Sequence, residues 1–167
     1  MGKSTVIKRV IELATHEAGG FYTREVRKSG QRTGFEIVTL AGQSGYLATK
    51  EPALAFSHEL PFGQYRVNLE AIDHLAVPAL LQAQAEGHIV VIGEIGPMEL
   101  LSARFGQAVL ALLDSQVAVL GTIMQRGHAL ADQVKAHPRI IMQEVTVANR
   151  NQLLAQVYDH LSRHLAF

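Results

Sequence analysis

Apolar positions change period twice in the first part of the chain. Over Thr5–Glu17, Val6, Val10 and Leu13 fall on one stripe with Ile7, Ile11 and Ala14 beside it, which predicts a helix. Gly19-Gly20 then supplies the residue type that commonly ends one. Phe21–Val26 and Phe35–Leu40 are rich in β-branched and aromatic residues and flank a Lys28-Ser29-Gly30 turn signal. With a second turn at Ala41–Gly45 before Tyr46-Leu47-Ala48, they read as a small antiparallel meander. Glu51–Gly63 holds two prolines and no period, and reads as a loop.

Helical spacing resumes at Asn68, a capping residue type, and runs to about Ala85 with Leu69, Ile72, Ala76 and Ala79 inward. Pro78 should kink this helix, because its ring and missing N–H disturb the preceding turn. His88–Ile92 is a short, wholly apolar run of the kind buried in a parallel sheet. A helix over Glu99–Leu113 follows, with Leu101, Phe105, Val109 and Leu112 on one face. Val117–Thr122 and Ile140–Val147 read as further buried strands, and Asn149–His164 as a terminal helix with Leu153, Val157 and Leu161 inward. Strands alternating with helices predict an α/β fold with right-handed crossovers.

Composition narrows the function classes. The 167 residues, 48% of them apolar, suit one domain spanning 1–167. Fifteen basic residues balance fifteen acidic ones, so no overall field favours nucleic acid or an anionic membrane. The absence of cysteine excludes disulfides and thiolate metal sites. No basic segment leads into an apolar one at the N-terminus, and the runs at Ile89–Ile92 and Val117–Leu120 are too short to span a bilayer. The expected setting is cytoplasmic; the oligomeric state is not legible.

Two segments carry candidate chemistry. Gly2-Lys3-Ser4-Thr5 opens directly into a helix and matches the end of a Walker A loop, G-x-x-x-x-G-K-[ST]. In such a loop backbone N–H groups and the helix N-terminus surround the β-phosphate. Lys3 would neutralise the β- and γ-oxygens, Ser4 would bind Mg²⁺, and Thr5 would reach the α-phosphate. The second segment is the apolar run at His88–Ile92, which ends in Gly93-Glu94 as a Walker B strand ends in its acids. Glu94 is the candidate for orienting the attacking water, whereas Glu99 reads as a first-turn acid favoured by the helix dipole. Arg24, Arg27 and Arg150 are candidates for phosphate or base contacts, and Thr122 for sensing the γ-phosphate at a strand end. His160 and His164 are spaced i, i+4, but with no third ligand nearby they read as an exposed terminal turn.

Taken in order, a longer series of segments resembles one family. It comprises Gly19-Gly20-Phe21-Tyr22-Thr23-Arg24-Glu25-Val26-Arg27, Gly34-Phe35-Glu36-Ile37-Val38-Thr39-Leu40 and Gly63-Gln64-Tyr65-Arg66-Val67-Asn68. Glu94-Ile95-Gly96-Pro97-Met98-Glu99-Leu100, Val145-Thr146 and Asn149-Arg150-Asn151 complete it. The chain resembles the small P-loop nucleoside-triphosphatase family that includes the cancer-related nucleoside triphosphatase and its bacterial and archaeal relatives. The resemblance implies a P-loop fold, a mostly parallel sheet flanked by helices with a β-meander insertion. It also implies Mg²⁺-dependent hydrolysis of nucleoside 5′-triphosphates, ATP and GTP among them, with broad base tolerance. Gly2, Lys3, Ser4 and Thr5 match the end of the family's ATP loop. Ile89, Val90, Val91, Ile92, Gly93, Glu94, Ile95 and Gly96 match its second nucleotide-binding stretch, with Glu94 and Lys3 in the catalytic roles.

The chain departs from that pattern twice. The family opens with a strand and a loop of the form G-P-x-G-x-G-K-[ST], of which only the last residues match here, so the family's first strand is absent. A GTG valine codon read as the start would account for Met1, and in-frame DNA upstream should then encode an apolar strand and Gly-x-x-Gly. Gly93, moreover, stands where the family usually carries the Walker B aspartate. That substitution keeps open a nucleotide-binding module with impaired hydrolysis, and a small-molecule or nucleotide kinase is a third alternative.

Overall fold

A computed structural model describes residues 2–13 and 17–165. The strands are β1 (Ala18–Lys28), β2 (Gln31–Thr39), β3 (Ser44–Thr49), β4 (Glu59–Phe62), β5 (Tyr65–Asn68), β6 (Ile89–Ile95) and β7 (Val119–Ile123). The helices are α1 (Lys3–Leu13), the short α2 (Leu69–Ala71), α3 (Val77–Ala85), α4 (Ala103–Asp114), α5 (Ala129–Ala136) and α6 (Arg150–Leu165). None of the described helices is long and apolar enough to cross a membrane.

The strands form a mixed sheet in the order β4-β5-β3-β2-β1-β6-β7. β1, β6 and β7 run parallel, whereas β1 to β5 pair antiparallel, so the expected meander continues the parallel strands through β1. Side chains of a strand alternate between faces, and β6 uses both. Val90 and Ile92 join Leu80 of α3 and Phe105 and Val109 of α4, while Ile89 and Val91 join Ile7 of α1 on the other side. α6 lies beside α1 and packs Leu161 against Val6 and Val10.

Gly19-Gly20 does not end a helix. α1 is described as far as Leu13, Ala14 lies outside the described residues, and both glycines sit in β1. They permit close approach instead: a Cβ on Gly19 would lie 2.7 Å from the Ala83 Cβ of α3, and one on Gly20 (φ +109°) would overlap the Val91 carbonyl. Ser29 and Gly30, both at positive φ, close the β1–β2 hairpin with the two-residue turn that suits strand twist.

Other expectations change as well. The loop expected over Glu51–Gly63 contains β4, an edge strand in which Pro61 is tolerated, paired with the unforeseen β5. Asn68 does not cap a helix; its side-chain amide donates to the Tyr46 carbonyl at 3.0 Å. The kink expected at Pro78 takes the form of a π turn over Ile72–Ala76, where the Val77 N–H bonds to the Ile72 carbonyl.

Ile140–Val147 is not a strand. It makes no ladder, and Ile141, Met142 and Val147 are exposed. A strand needs a neighbour to take its backbone groups, and among the described residues β7 pairs on one edge only, with β6. α5 was not foreseen; it buries only Ala131 and Val134, and His128 caps it by accepting from the Leu130 N–H.

Candidate active site

α1 begins at Lys3, so the N–H groups of its first turn and the positive end of its dipole open where Lys3, Ser4 and Thr5 stand exposed. Two clefts flank that turn, as the helical period dictates. One, of about 130 Å³, is lined by Ser4, Ile7, Lys8, Tyr22, Val91 and Gly93 among others. The Lys8 ammonium there stands 4.8 Å from the centre of the Tyr22 ring. The other, of about 200 Å³, is lined by Gly2, Thr5, Val6, Arg9, Arg150, Asn151 and Leu154. The start of α1 thus meets the end of β6 on one side and the start of α6 on the other.

β6 changes character at its end. Ile89 to Ile92 are buried, and the β6–β7 register then breaks between Ile92 and Ile95. The break leaves the Gly93 carbonyl to the Thr122 hydroxyl, which donates to it at 2.5 Å. Thr122 therefore holds the strand end and does not present its proton to a phosphate. Gly93 is pressed against β1: a Cβ there would overlap the Tyr22 Cα and stand 3.0 Å from the Phe21 carbonyl oxygen. The glycine removes a carboxylate and also permits this strand approach.

Beyond Gly93, two carboxyl groups converge. A Cβ on Gly96 would lie 2.7 Å from Glu99 Oε2 and 3.0 Å from Glu94 Cδ, so both side chains border the same small space. Glu99, read from sequence as an ordinary first-turn acid, is 2% exposed. Burial, followed by the charge of Glu94, raises its pKa to about 8, against which the N–H groups of Glu99 and Gly96 act. The turn carrying Glu99 leads to Ser102, which accepts from the Phe105 N–H as the cap of α4 and donates to Asp73 at 2.5 Å.

The sequence-derived residues divide accordingly. Gly2, Ser4, Thr5, Arg150, Val91 and Gly93 line the two clefts, with Lys3 exposed beside them. Ile89, Val90 and Ile92 are core residues that shape β6, and Ile95 is buried as well. Arg24 and Arg27 line neither cleft: Arg24 bonds Glu36 at 2.7 Å and Arg27 bonds Glu25 at 2.6 Å, on the exposed β1–β2 hairpin. The His160 and His164 rings lie 4.4 Å apart, tilted at 44°, and no group of three His, Cys, Asp or Glu suited to a metal occurs among the described residues. Sequence reasoning missed Lys8, Tyr22, Arg9 and Asn151. Arg9 was within reach, since it lies four residues after Thr5 on the same helical face.

Comparison with known proteins places this geometry. A family model described as NTPase matches residues 1–158. The nucleoside-triphosphatase THEP1 of Thermotoga petrophila is 37% identical over 157 residues, covering 94% of this chain and 85% of that protein. The cancer-related nucleoside-triphosphatase homolog of Bos taurus is 39% identical over 174 residues, covering 96% and 91%. The crystal structure of THEP1 from Aquifex aeolicus superposes with a TM-score of 0.82 at 33% identity, covering 96% of this chain and 92% of that one. The solution structure of a human cancer-related nucleoside triphosphatase gives 0.79 at 34% identity, covering 98% and 93%. With a helix start facing an acid-ended strand and likeness along nearly its whole length, the chain belongs to this family of P-loop nucleoside-triphosphatases.

Proposed function

We propose that residues 1–167 act as one domain that hydrolyses nucleoside 5′-triphosphates, ATP and GTP among them, to diphosphate and phosphate. Base tolerance is broad, Mg²⁺ is the cofactor and the setting is cytoplasmic. The observation that carries this reading is the cleft shared by Ser4 at the start of α1 and Gly93 at the end of β6. It sets an anion-binding helix terminus beside a strand whose next residue is an acid. In this reading Lys3 and the first N–H groups of α1 take the β- and γ-phosphates. Arg150, in the other cleft with Gly2 and Thr5, meets the α-phosphate or the base. Glu94 orients the attacking water, and positioning with charge stabilisation supplies most of the rate.

The donors fit Mg²⁺. Ser4 offers a hard hydroxyl oxygen at an exposed helix start, and this ion completes its shell with phosphate oxygens and water rather than an all-protein cage. When bound, it neutralises charge on the phosphate oxygens.

The reading is tested by phosphate release from ATP, GTP, CTP and UTP with Mg²⁺, from the 167-residue chain and from the chain preceded by its upstream in-frame codons. Lys3→Ala should lower release by roughly 10²-fold or more, and Glu94→Gln should bind nucleotide but turn over slowly. Equal release by Lys3→Ala would end the assignment of the phosphate site. A second reading, a nucleotide-binding module with impaired hydrolysis, draws on the packing of Gly93, which leaves no carboxylate there. Tight nucleotide binding without phosphate release would select it.

A further inference from the structure

Glu99 has no place in the reaction outlined above, yet it is the buried carboxyl group nearest to that reaction's acid. Its side chain is 2% exposed and reaches back over Gly96 to the space bordered by Glu94. No described cation pairs with either carboxyl group, although ten other ion pairs occur among the described residues. Two adjoining carboxylates without a counter-charge repel each other, and in a buried setting one of them keeps a proton.

We propose that Glu99 is a positioning residue for hydrolysis, whose buried carboxyl group fixes the orientation of Glu94 at the end of β6. This rests on the reading of Glu94 as the water-orienting acid. The more buried partner, Glu99, keeps its proton and so faces the partly exposed Glu94 as a hydrogen-bond donor. A neutral acid close to a carboxylate can donate to it through one bridging water, a charge-assisted link. The donor is itself held: the N–H groups of Gly96 and Glu99 face it, and the turn that carries it is tied through Ser102 to Asp73.

Other charged groups do not alter this balance. On the elements packed against the Glu99 turn, β6 carries Glu94 alone, and α4 carries Arg104 and Asp114, both exposed. Asp73 on the π turn is engaged by Ser102. Of all these, Glu94 is the one that acts on Glu99 by charge.

The test uses ATP and Mg²⁺ with the full chain and its Glu99→Gln, Glu99→Ala and Glu94→Gln variants, followed across pH. The wild-type rate should fall as pH rises through about 8, where Glu99 gives up its proton and repels Glu94. Glu99→Gln keeps a donor that cannot ionise; it should hold the rate at neutral pH and lose the alkaline fall. Glu99→Ala should lower kcat by roughly 10- to 100-fold with KM little changed, as expected for a displaced catalytic group. An alkaline fall in Glu99→Gln identical to that of wild type, or a wild-type kcat in Glu99→Ala, would overturn the proposal. Carboxyl ¹³C NMR reads the same pair without turnover. A protonated Glu99 at neutral pH is expected; an ionised Glu99 overturns the proposal even if hydrolysis is absent. Wild-type release by Glu94→Gln would instead remove the reading of Glu94 on which the proposal stands.

Discussion

Gly93 of β6 lies so close to Tyr22 of β1 that the two strands leave no room for a side-chain carbon at position 93. The family pattern has an aspartate at this position, but the packing leaves no space for one here. Gly93→Asp should destabilise the fold by about 1–3 kcal/mol, the usual cost of overpacking, with Gly93→Ala losing a similar amount. Urea midpoints of the two variants check this. A Gly93→Asp protein as stable as wild type would show that β1 and β6 separate readily.

Thr122 should matter for stability before it matters for turnover. Its hydroxyl is the partner of the Gly93 carbonyl where the β6–β7 register breaks. Thr122→Val leaves that carbonyl unpaired in the interior and should cost about 1–3 kcal/mol, whereas Thr122→Ser should cost less. Equal losses in the two variants by denaturant titration would shift the role from the hydroxyl to the methyl group.

Glu99 should make stability depend on pH. Below about 4.5, its ordinary value, the folded and unfolded chains both hold the proton, and the stability associated with it is complete. Between 4.5 and about 8 the unfolded chain releases the proton while the folded chain keeps it, so stability falls as pH rises; above about 8 the fall ends. The loss should be on the order of a few kcal/mol. Glu99→Gln should flatten this window in denaturation midpoints measured from pH 5 to pH 9.

Ser102 and Asp73 should show coupling. Ser102→Ala removes both the cap of α4 and the bond to the π turn, and should cost about 1–2 kcal/mol. A double-mutant cycle with Asp73→Ala should give a coupling of at least about 0.5 kcal/mol. Strict additivity would leave the cap as the sole contribution of Ser102.

The three candidate arginines should separate by position. Arg150→Ala should raise the KM for ATP by roughly 10-fold, the scale of one lost charge-assisted contact. Arg24→Ala and Arg27→Ala, which break exposed pairs with Glu36 and Glu25, should leave kinetics unchanged. Steady-state kinetics of all three variants decide it.

Legibility from sequence followed how local the cause was. β6 was clear because a strand buried on both faces must be apolar throughout, and the β1–β2 hairpin was clear because Ser29-Gly30 is a local turn signal. Gly19-Gly20 misled because a glycine that ends a helix and one that admits a neighbouring chain look alike until Ala83 and Val91 are seen beside them. Ile140–Val147 has the composition of a strand, but pairing is supplied by a neighbour and not by the segment itself. At the site, the order of Gly2–Thr5 and Gly93-Glu94 was readable as motif. The burial of Glu99 was not, since it depends on how the chain folds back over Gly96.

The π turn over Ile72–Ala76 sets the rotational phase of everything that follows it in the helix. An α-helix advances by roughly 100° per residue, so the residue accommodated in the wider turn decides which side of α3 meets the sheet. As built, that side is Val77, Leu80 and Ala83, with Ala83 against Gly19. Deleting one residue from the turn would restore a regular helix and swing those three away from β1. Local regularity and global fit therefore oppose each other here, and the molecule keeps the fit.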